Sequence, residues 1–416
     1  MTVKTPALDT LQKIYKEAAK EAETRYEALI SRYLADFGTC DTLRFFSAPG
    51  RTEILGNHTD HNGGKVIAAS ITMDTICAAA KNDENIVRIN SEGHDPIVIP
   101  VADAAAWSER HGSKALVAGM IAGAVREGWA AGGLNMTVSS TVLPSAGVSS
   151  SASFEMLFLS VLNALYNDGA YDYAAYARIG QYAENVFWDK ASGLMDQMAC
   201  AYGGAILLDF KGGISCEQIP FDFSSLGYDL FIINTGTGHA DLSEAYSAVP
   251  NEMRLVASAL GVQNLCDTTP EAFYKALPDL RLKLNHDRAL LRAMHFFAEN
   301  ERVEAAAKEI RNGNAMPVLD YMLASGTSSW ELLQNCVLDG VPTEQPIPYA
   351  LALTARFLQE NACGVCRIHG GGFAGVIQAV VKKECSGAFT KYLSRFLSAD
   401  AIHCMDIRRE GAVELI

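Results

Sequence analysis

No run of this 416-residue chain is apolar over the roughly 18 positions that a membrane span requires. The N-terminus also lacks the apolar segment of a signal peptide, so the sequence predicts a cytoplasmic protein. Blocks of Lys and Arg are missing as well, and the formal net charge is -14. Nucleic acid and anionic membrane are disfavoured as partners, because both require a basic footprint. An anionic substrate would need a local cation or a metal. No GxxxxGKS or GxxxxGKT occurs, which excludes a P-loop. Of ten cysteines only Cys363 and Cys366 form a CxxC, and no second pair at zinc spacing follows. The thiols therefore read as reduced, and that pair as strand packing rather than metal or redox chemistry.

Hydrophobic residues make up 49% of the chain, enough to fill two domains at this length. Without a repeat, a low-complexity tract or a Pro/Ser-rich linker the boundary is soft; it is expected near residue 213, giving residues 1–213 and 214–416. The N-terminal segment predicts one capped amphipathic helix with Ile14, Ala18, Ala22, Tyr26 and Ile30 along a face. Short β-branched strands ("TLRFFSAP", "KVIAASI", "IVRINSE") then mix with alanine-rich helices ("KALVAGMIAGAVREG"), an α+β pattern rather than a regular βαβ array. The charges of "AENERVEAAAKEIRNG" read as a solvated helix face with i,i+4 pairs.

Four polar stretches interrupt this pattern. "GNHTDHNGG", from Gly56 to Gly64, is either a surface turn or a binding loop; its apolar, β-branched flanks favour a loop held between strands. "SAGVSSSASFEMLFLSVLNALY" runs small residues from Ser145 to Ser153 straight into an amphipathic helix. It reads as a capped helix or as an anion site at a helix N-terminus, with serines able to add hydrogen bonds or a Mg²⁺ ligand. "AENVFWDKASGLMDQ" places Glu184 near the end of one helix and Asp196 just before another, where an N-cap is the plain explanation. "RIHGGGFAGV" sets Gly370 to Gly372 between two apolar strands, as a tight turn or a close approach to a ligand.

In this order and at these separations, "APGRTEILGNHTDHNGG", "SAGVSSSAS", "SGLMDQ" and "HGGGFAGV" resemble the signatures of the galactokinases, within the GHMP kinase superfamily. The resemblance implies a two-domain α+β fold: a ribosomal protein S5 domain 2-like N-terminal domain, a ferredoxin-like C-terminal domain, and the site in the cleft between. It also implies ATP-dependent phosphorylation of D-galactose at its C1 hydroxyl, with Mg²⁺ on the nucleotide, in a monomer or weak homodimer. Arg51 matches the arginine beside the reacting groups and Asp196 the carboxylate that activates the sugar hydroxyl. Glu53, Asn57, His58, Asp60, Gly193 and Tyr246 fall at sugar-binding positions. Gly147, Val148, Ser149, Ser150, Ser151 and Ala152 match the ATP phosphate loop, and Ser151 with Glu184 the metal ligands. Arg51 near Asp196 would lower that carboxyl's pKa, making it a poor early base.

Several positions depart from the signatures. Asn57 stands where these kinases carry a glutamate that contacts the sugar's C6 hydroxyl, and Glu53 where they carry asparagine. An amide at position 57 would remove negative charge beside C6, so galacturonate, arabinose or N-acetylgalactosamine are alternative substrates. His61 replaces Tyr, Ser145 replaces Gly, His369 replaces Thr, and the usual arginine pair after Tyr246 is absent. His58 and His61 offer a metal pair without a partnering set. A sensor that binds sugar and ATP without turnover is the alternative from outside the enzymes. The adenine pocket has no assigned residue; Trp107 is a possible substitute for the usual aromatic.

Overall fold

The computed structural model describes residues 4–40, 42–144, 147–190, 192–236, 243–373 and 375–415. The strands are β1 (Arg44–Leu55), β2 (Lys65–Lys81), β3 (Ile86–Ser91), β4 (Ile97–Pro100), β5 (Leu134–Ser140), β6 (Ala205–Asp209), β7 (Ser215–Ile219), β8 (Tyr228–Asn234), β9 (Gly364–Ile368), β10 (Val376–Lys382), β11 (Ile402–Met405) and β12 (Val413–Leu415). The helices are α1 (Leu8–Tyr15), α2 (Ala19–Phe37), α3 (Gly112–Arg126), α4 (Ser150–Tyr166), α5 (Tyr173–Tyr182), α6 (Met195–Tyr202), α7 (Ser243–Ala259), α8 (Pro270–Leu284), α9 (Asp287–Arg311), α10 (Val318–Ser328), α11 (Pro346–Glu360) and α12 (Ser386–Leu393). Among the described residues no helix is long and apolar enough to cross a membrane.

Two sheets organise these elements. The first runs β12-β1-β2-β5-β3-β4, with β6 paired to β2 and β7 to β6. The second has the order β11-β8-β10-β9, all antiparallel. Counted along the chain that order is 4-1-3-2, which with its intervening helices is the ferredoxin-like arrangement.

The expected boundary after residue 213 needs correction. It cuts the hairpin of β6 and β7, whose ladder pairs Ala205 to Asp209 with Ile219 to Ser215. The last strand, β12, also returns to the first sheet beside β1, pairing Phe45 with Leu415. Backbone ladders, not sequence order, set which residues belong together.

The N-terminal helix is two helices. Lys16 takes φ +54 and ends α1 there, so Ala18 becomes exposed and Ala19 buried in its place, while Ile14, Ala22, Tyr26 and Ile30 pack inward as expected. Ala7, at its N-cap, makes no side-chain capping bond. The helix after the serines is not amphipathic either: Met156, Leu157, Phe158, Leu159, Val161 and Leu162 are all buried, so α4 is apolar nearly all round and runs through the core. Its buried surroundings fix the position of its N-terminus. The CxxC cysteines are free thiols, with Cys363 buried and Cys366 on β9.

Candidate active site

Strand β1 carries the site's arginine. Its pairing with β2 shifts register between Pro49 and Arg51, an irregularity that re-aims the strand's side chains. Gly50 makes the next step possible, because a Cβ there would stand 2.7 Å from the Val148 carbonyl oxygen. The loop that carries Val148 therefore lies directly on β1, and the Arg51 backbone N–H donates to the Val148 carbonyl at 3.1 Å.

Arg51 then reaches Asp196 in a two-pronged contact. Nε donates to Oδ1 at 2.7 Å and Nη2 to Oδ2 at 2.8 Å. Its third nitrogen, Nη1, donates to the Gly147 carbonyl. Asp196 sits in the first turn of α6 and caps nothing, contrary to the plain N-cap explanation: its carboxylate faces Arg51 and also accepts from Ser149 Oγ. Burial alone would raise the Asp196 pKa, but the Arg51 charge and the hydrogen bonds from Arg51 and Ser149 outweigh it and hold the carboxyl below its usual value.

Ser149 is the N-cap of α4 and adopts a left-handed conformation, φ +58, without making the usual side-chain cap. Its hydroxyl is spent on Asp196, so the first backbone N–H groups of a 17-residue helix are left to a ligand. Val148 and Ala152 are buried and serve packing. Ser151 Oγ donates to Glu184 Oε1 at 3.1 Å. Glu184 lies in a π-helical turn, Ala183–Phe187, which extends α5 and turns the carboxylate inward. The Lys190 ammonium also contacts Glu184, and it lies 3.3 Å from Ser151 Oγ.

The "NHTDH" loop closes the other side. Asp60 lies against the "SGLMDQ" motif: a Cβ on Gly193 would be 2.6 Å from Asp60 Oδ2. The glycine turn before β10 meets the same loop, and three of its consecutive carbonyls accept side-chain donors. Asn57 Nδ2 donates to Gly370 O at 2.6 Å, His58 Nε2 to Gly371 O at 2.8 Å, and Tyr246 Oη to Gly372 O at 3.1 Å. His58 is lowered to about 4 by burial and the neighbouring His61, so the ring is neutral at pH 7.

Arg51, Asp196, Gly147 and Ser149 are thus joined by direct contacts, as are Ser151 with Glu184, Asp60 with Gly193, and His58 and Tyr246 with the glycine turn; Ser150 opens α4. Glu53 and Asn57 are buried, and their side-chain polar atoms are engaged by other groups of the protein. Asn57 Nδ2 also donates to Glu53 Oε1 at 3.1 Å, Asn57 Oδ1 accepts from Asn335 at 2.8 Å, and Glu53 pairs with Arg367 at 2.8 Å. Negative charge is therefore not removed from this corner of the site, as the amide at 57 suggested; it has moved four residues upstream. Ser145 lies outside the described residues. No group of three or more His, Cys, Asp or Glu arranged for a metal occurs among the described residues, so His58 and His61 gain no partners.

Sequence reasoning missed the supports that come from the C-terminal half. Glu299, expected on a solvated helix face, is fully buried and accepts from the Gly56 N–H at 2.9 Å and from Ser325 Oγ at 2.6 Å. Arg302 pairs with it at 2.7 Å, and its pKa falls to about 2 because nearby His295, Arg302 and Arg367 charges outweigh burial. His295 Nε2 donates to the Asn57 carbonyl at 2.9 Å. One helix of the second half thereby holds the backbone of a loop in the first. Only the i, i+4, i+8 spacing of His295, Glu299 and Val303 along one side of α9 hinted at this.

Two family models match the chain: the galactokinase galactose-binding signature over residues 31–81 and the GHMP kinases N terminal domain over residues 115–204. Galactokinase of Streptomyces coelicolor is 30% identical over 348 residues, covering 82% of this chain and 85% of that one. Galactokinase of Clostridium tetani is 27% identical over 361 residues, covering 85% and 88%. Among solved structures, Lactococcus lactis galactokinase complexed with galactose superposes with a TM-score of 0.80 at 25% identity, over 94% of this chain and 99% of that one. A mevalonate kinase, at 13% identity and a TM-score of 0.61 over 88% and 99%, shares the fold.

Proposed function

The chain belongs to the galactokinase family, a group of ATP-dependent sugar kinases, and from that premise we propose that it phosphorylates D-galactose at the C1 hydroxyl to galactose 1-phosphate. The observation that carries this reading is the Arg51–Asp196 clamp, held between the N-terminus of α4 and the "NHTDH" loop. Phosphoryl transfer requires donor and acceptor in line, with charge on the moving group neutralised by fixed cations. The clamp supplies a carboxylate to orient the acceptor hydroxyl and a guanidinium that stays charged beside the reacting phosphorus.

The roles are those that membership of the family implies for these residues. His58, Asp60, Tyr246 and the backbone at Gly193 hold the sugar. The free N–H groups at Ser149 to Ser151 and the positive end of α4 take the nucleotide phosphates. Asp196 orients the C1 hydroxyl and accepts its proton late, because a carboxylate of lowered pKa is a weak early base. Glu53 and Asn57 act from beneath, fixing the loop that carries His58. Ser151 and Glu184 would hold the Mg²⁺: a hydroxyl and a carboxylate are oxygen donors suited to it, and the Lys190 ammonium on the same two oxygens indicates that the place accepts a cation. When bound, Mg²⁺ supplies charge neutralisation at the nucleotide phosphates.

The test is ADP release with Mg·ATP across galactose, galacturonate, arabinose, N-acetylgalactosamine and glucose, with Asp196→Ala as control. Galactose is expected to lead, and the variant is expected to bind ATP without turnover. Full activity in Asp196→Ala would sink the assignment. A different leading sugar would keep the mechanism and replace the substrate.

A further inference from the structure

His369 ends β9 at the glycine turn and is almost completely buried, 1% exposed. Its hydrogen bonds determine where its proton sits. Gln378 Nε2 donates to Thr52 Oγ1 at 2.7 Å, which leaves the Thr52 hydroxyl proton to be given to His369 Nε2 at 3.0 Å. The Glu53 backbone N–H donates to the same ring nitrogen at 3.3 Å. With two donors aimed at it, Nε2 is the unprotonated nitrogen and the proton is on Nδ1.

That Nδ1–H has no partner among the described residues. A buried donor left unsatisfied is costly and calls for a partner that arrives later. The nitrogen faces the phosphate loop: a Cβ at Gly147 would lie 3.3 Å from it. The Gly147 carbonyl is the one that receives Arg51 Nη1, so the orphaned donor lies next to the residue that holds the guanidinium, and the Arg51 and Asp196 charges both act on its ring. Burial, followed by the charges of Arg51 and Arg367, keeps the imidazole neutral, so it is a hydrogen-bond donor and not a second cation.

We propose that His369 Nδ1–H donates a hydrogen bond to the phosphoryl group as it passes from ATP to the sugar, beside Arg51. The inference rests on the kinase reading above. In the step, the C1 oxygen forms a bond to the γ-phosphorus while the bond to the β,γ-bridging oxygen breaks. ADP leaves with that electron pair, and the hydroxyl proton goes to Asp196. His369 keeps its proton throughout; it stabilises charge on a non-bridging oxygen that grows tighter in the transition state.

Two substitutions separate the ring's two ends. His369→Asn retains an amide N–H near the Nδ1 position, and His369→Gln places its amide near Nε2 and removes the Nδ1 donor. For His369→Gln, kcat is expected to fall about 10²-fold, in line with the loss of one oxyanion-type donor, with KM for galactose within about twofold. His369→Asn is expected to recover most of kcat. Unchanged kcat in a folded His369→Gln, or equal losses in both variants, overturns the proposal. If His369→Gln does not fold, ¹⁵N-histidine-labelled wild type decides: one Nδ1–H resonance, assigned by its absence in His369→Asn, is expected to move downfield on adding galactose, MgADP and aluminium fluoride. A resonance that stays put overturns the proposal. Inactive wild type on every sugar would instead refute the kinase reading, so the two failures are distinguishable.

Discussion

Exchanging Glu53 and Asn57 tests whether the two residues form one buried unit. At the centre of the wild-type pocket Glu53, Arg367 and Asn57 form a trio of carboxylate, guanidinium and amide: Glu53 accepts from Arg367 at 2.8 Å and from Asn57 at 3.1 Å. Asn57→Glu alone brings a second carboxylate to about 4 Å from the first, a repulsion of about 4 kcal/mol at an effective dielectric of about 20. Glu53→Asn alone leaves Arg367 buried without its partner, at a cost of about 3–5 kcal/mol. The double variant again has one carboxylate, one arginine and one amide, and should lose only about 1–2 kcal/mol to imperfect packing. The sum of the singles is then about 8 kcal/mol and the double about 2, so the coupling is favourable by about 6 kcal/mol. Urea unfolding of the four proteins measures it. A double variant as unstable as the summed singles would refute the idea that charge has merely changed places here.

Other outcomes follow from the same geometry. Gly372 has φ +80, and a Cβ would meet the Asn335 carbonyl oxygen at 2.4 Å; Gly372→Ala should cost about 1–3 kcal/mol in urea unfolding from backbone strain alone and raise KM for galactose. Glu299→Ala strips the partner from Arg302 and from the Gly56 N–H, and is expected to lose about 3–5 kcal/mol; a loss under 1 kcal/mol would show that the helix does not hold the loop. His58 has a folded value of about 4 against an ordinary 6.5, so the stability of its neutral state is fully present above pH 6.5 and lost as pH falls through 4. Unfolding free energy should therefore rise with pH between those limits, and His58→Gln should flatten that slope by about one proton; an unaltered slope contradicts the assignment. Glu299 works in the same sense at lower pH: its contribution is present above the ordinary carboxyl range and disappears as pH falls through about 2.

The sequence by itself determined a good deal. Short motifs carry backbone chemistry that does not depend on distant contacts: serines run into a helix, glycines form a turn, and polar side chains interrupt β-branched flanks. The α+β class was legible in those patterns, and their resemblance to the galactokinase signatures pointed to the family and to Arg51, Ser149, Ser151, Glu184 and Asp196 as candidate site residues before any coordinates. Tertiary structure decided what each side chain faces. Asp196 could have been an N-cap, and became half of a clamp because the register shift in β1 aims Arg51 at it. Glu299 looked like one charge on a solvated face, and is buried because α9 packs under the "NHTDH" loop, where only a carboxylate satisfies the Gly56 amide and Arg302 together. Asn57 read as a sugar contact with a missing charge, and sits under the loop because Glu53, Arg367 and Asn335 arrive from three places in the chain. The proton on His369 was likewise invisible, since it is fixed by donors more than 300 residues away in sequence. Local patterns are written in neighbouring residues; the partner of a buried polar group is set by whichever distant segment folds against it.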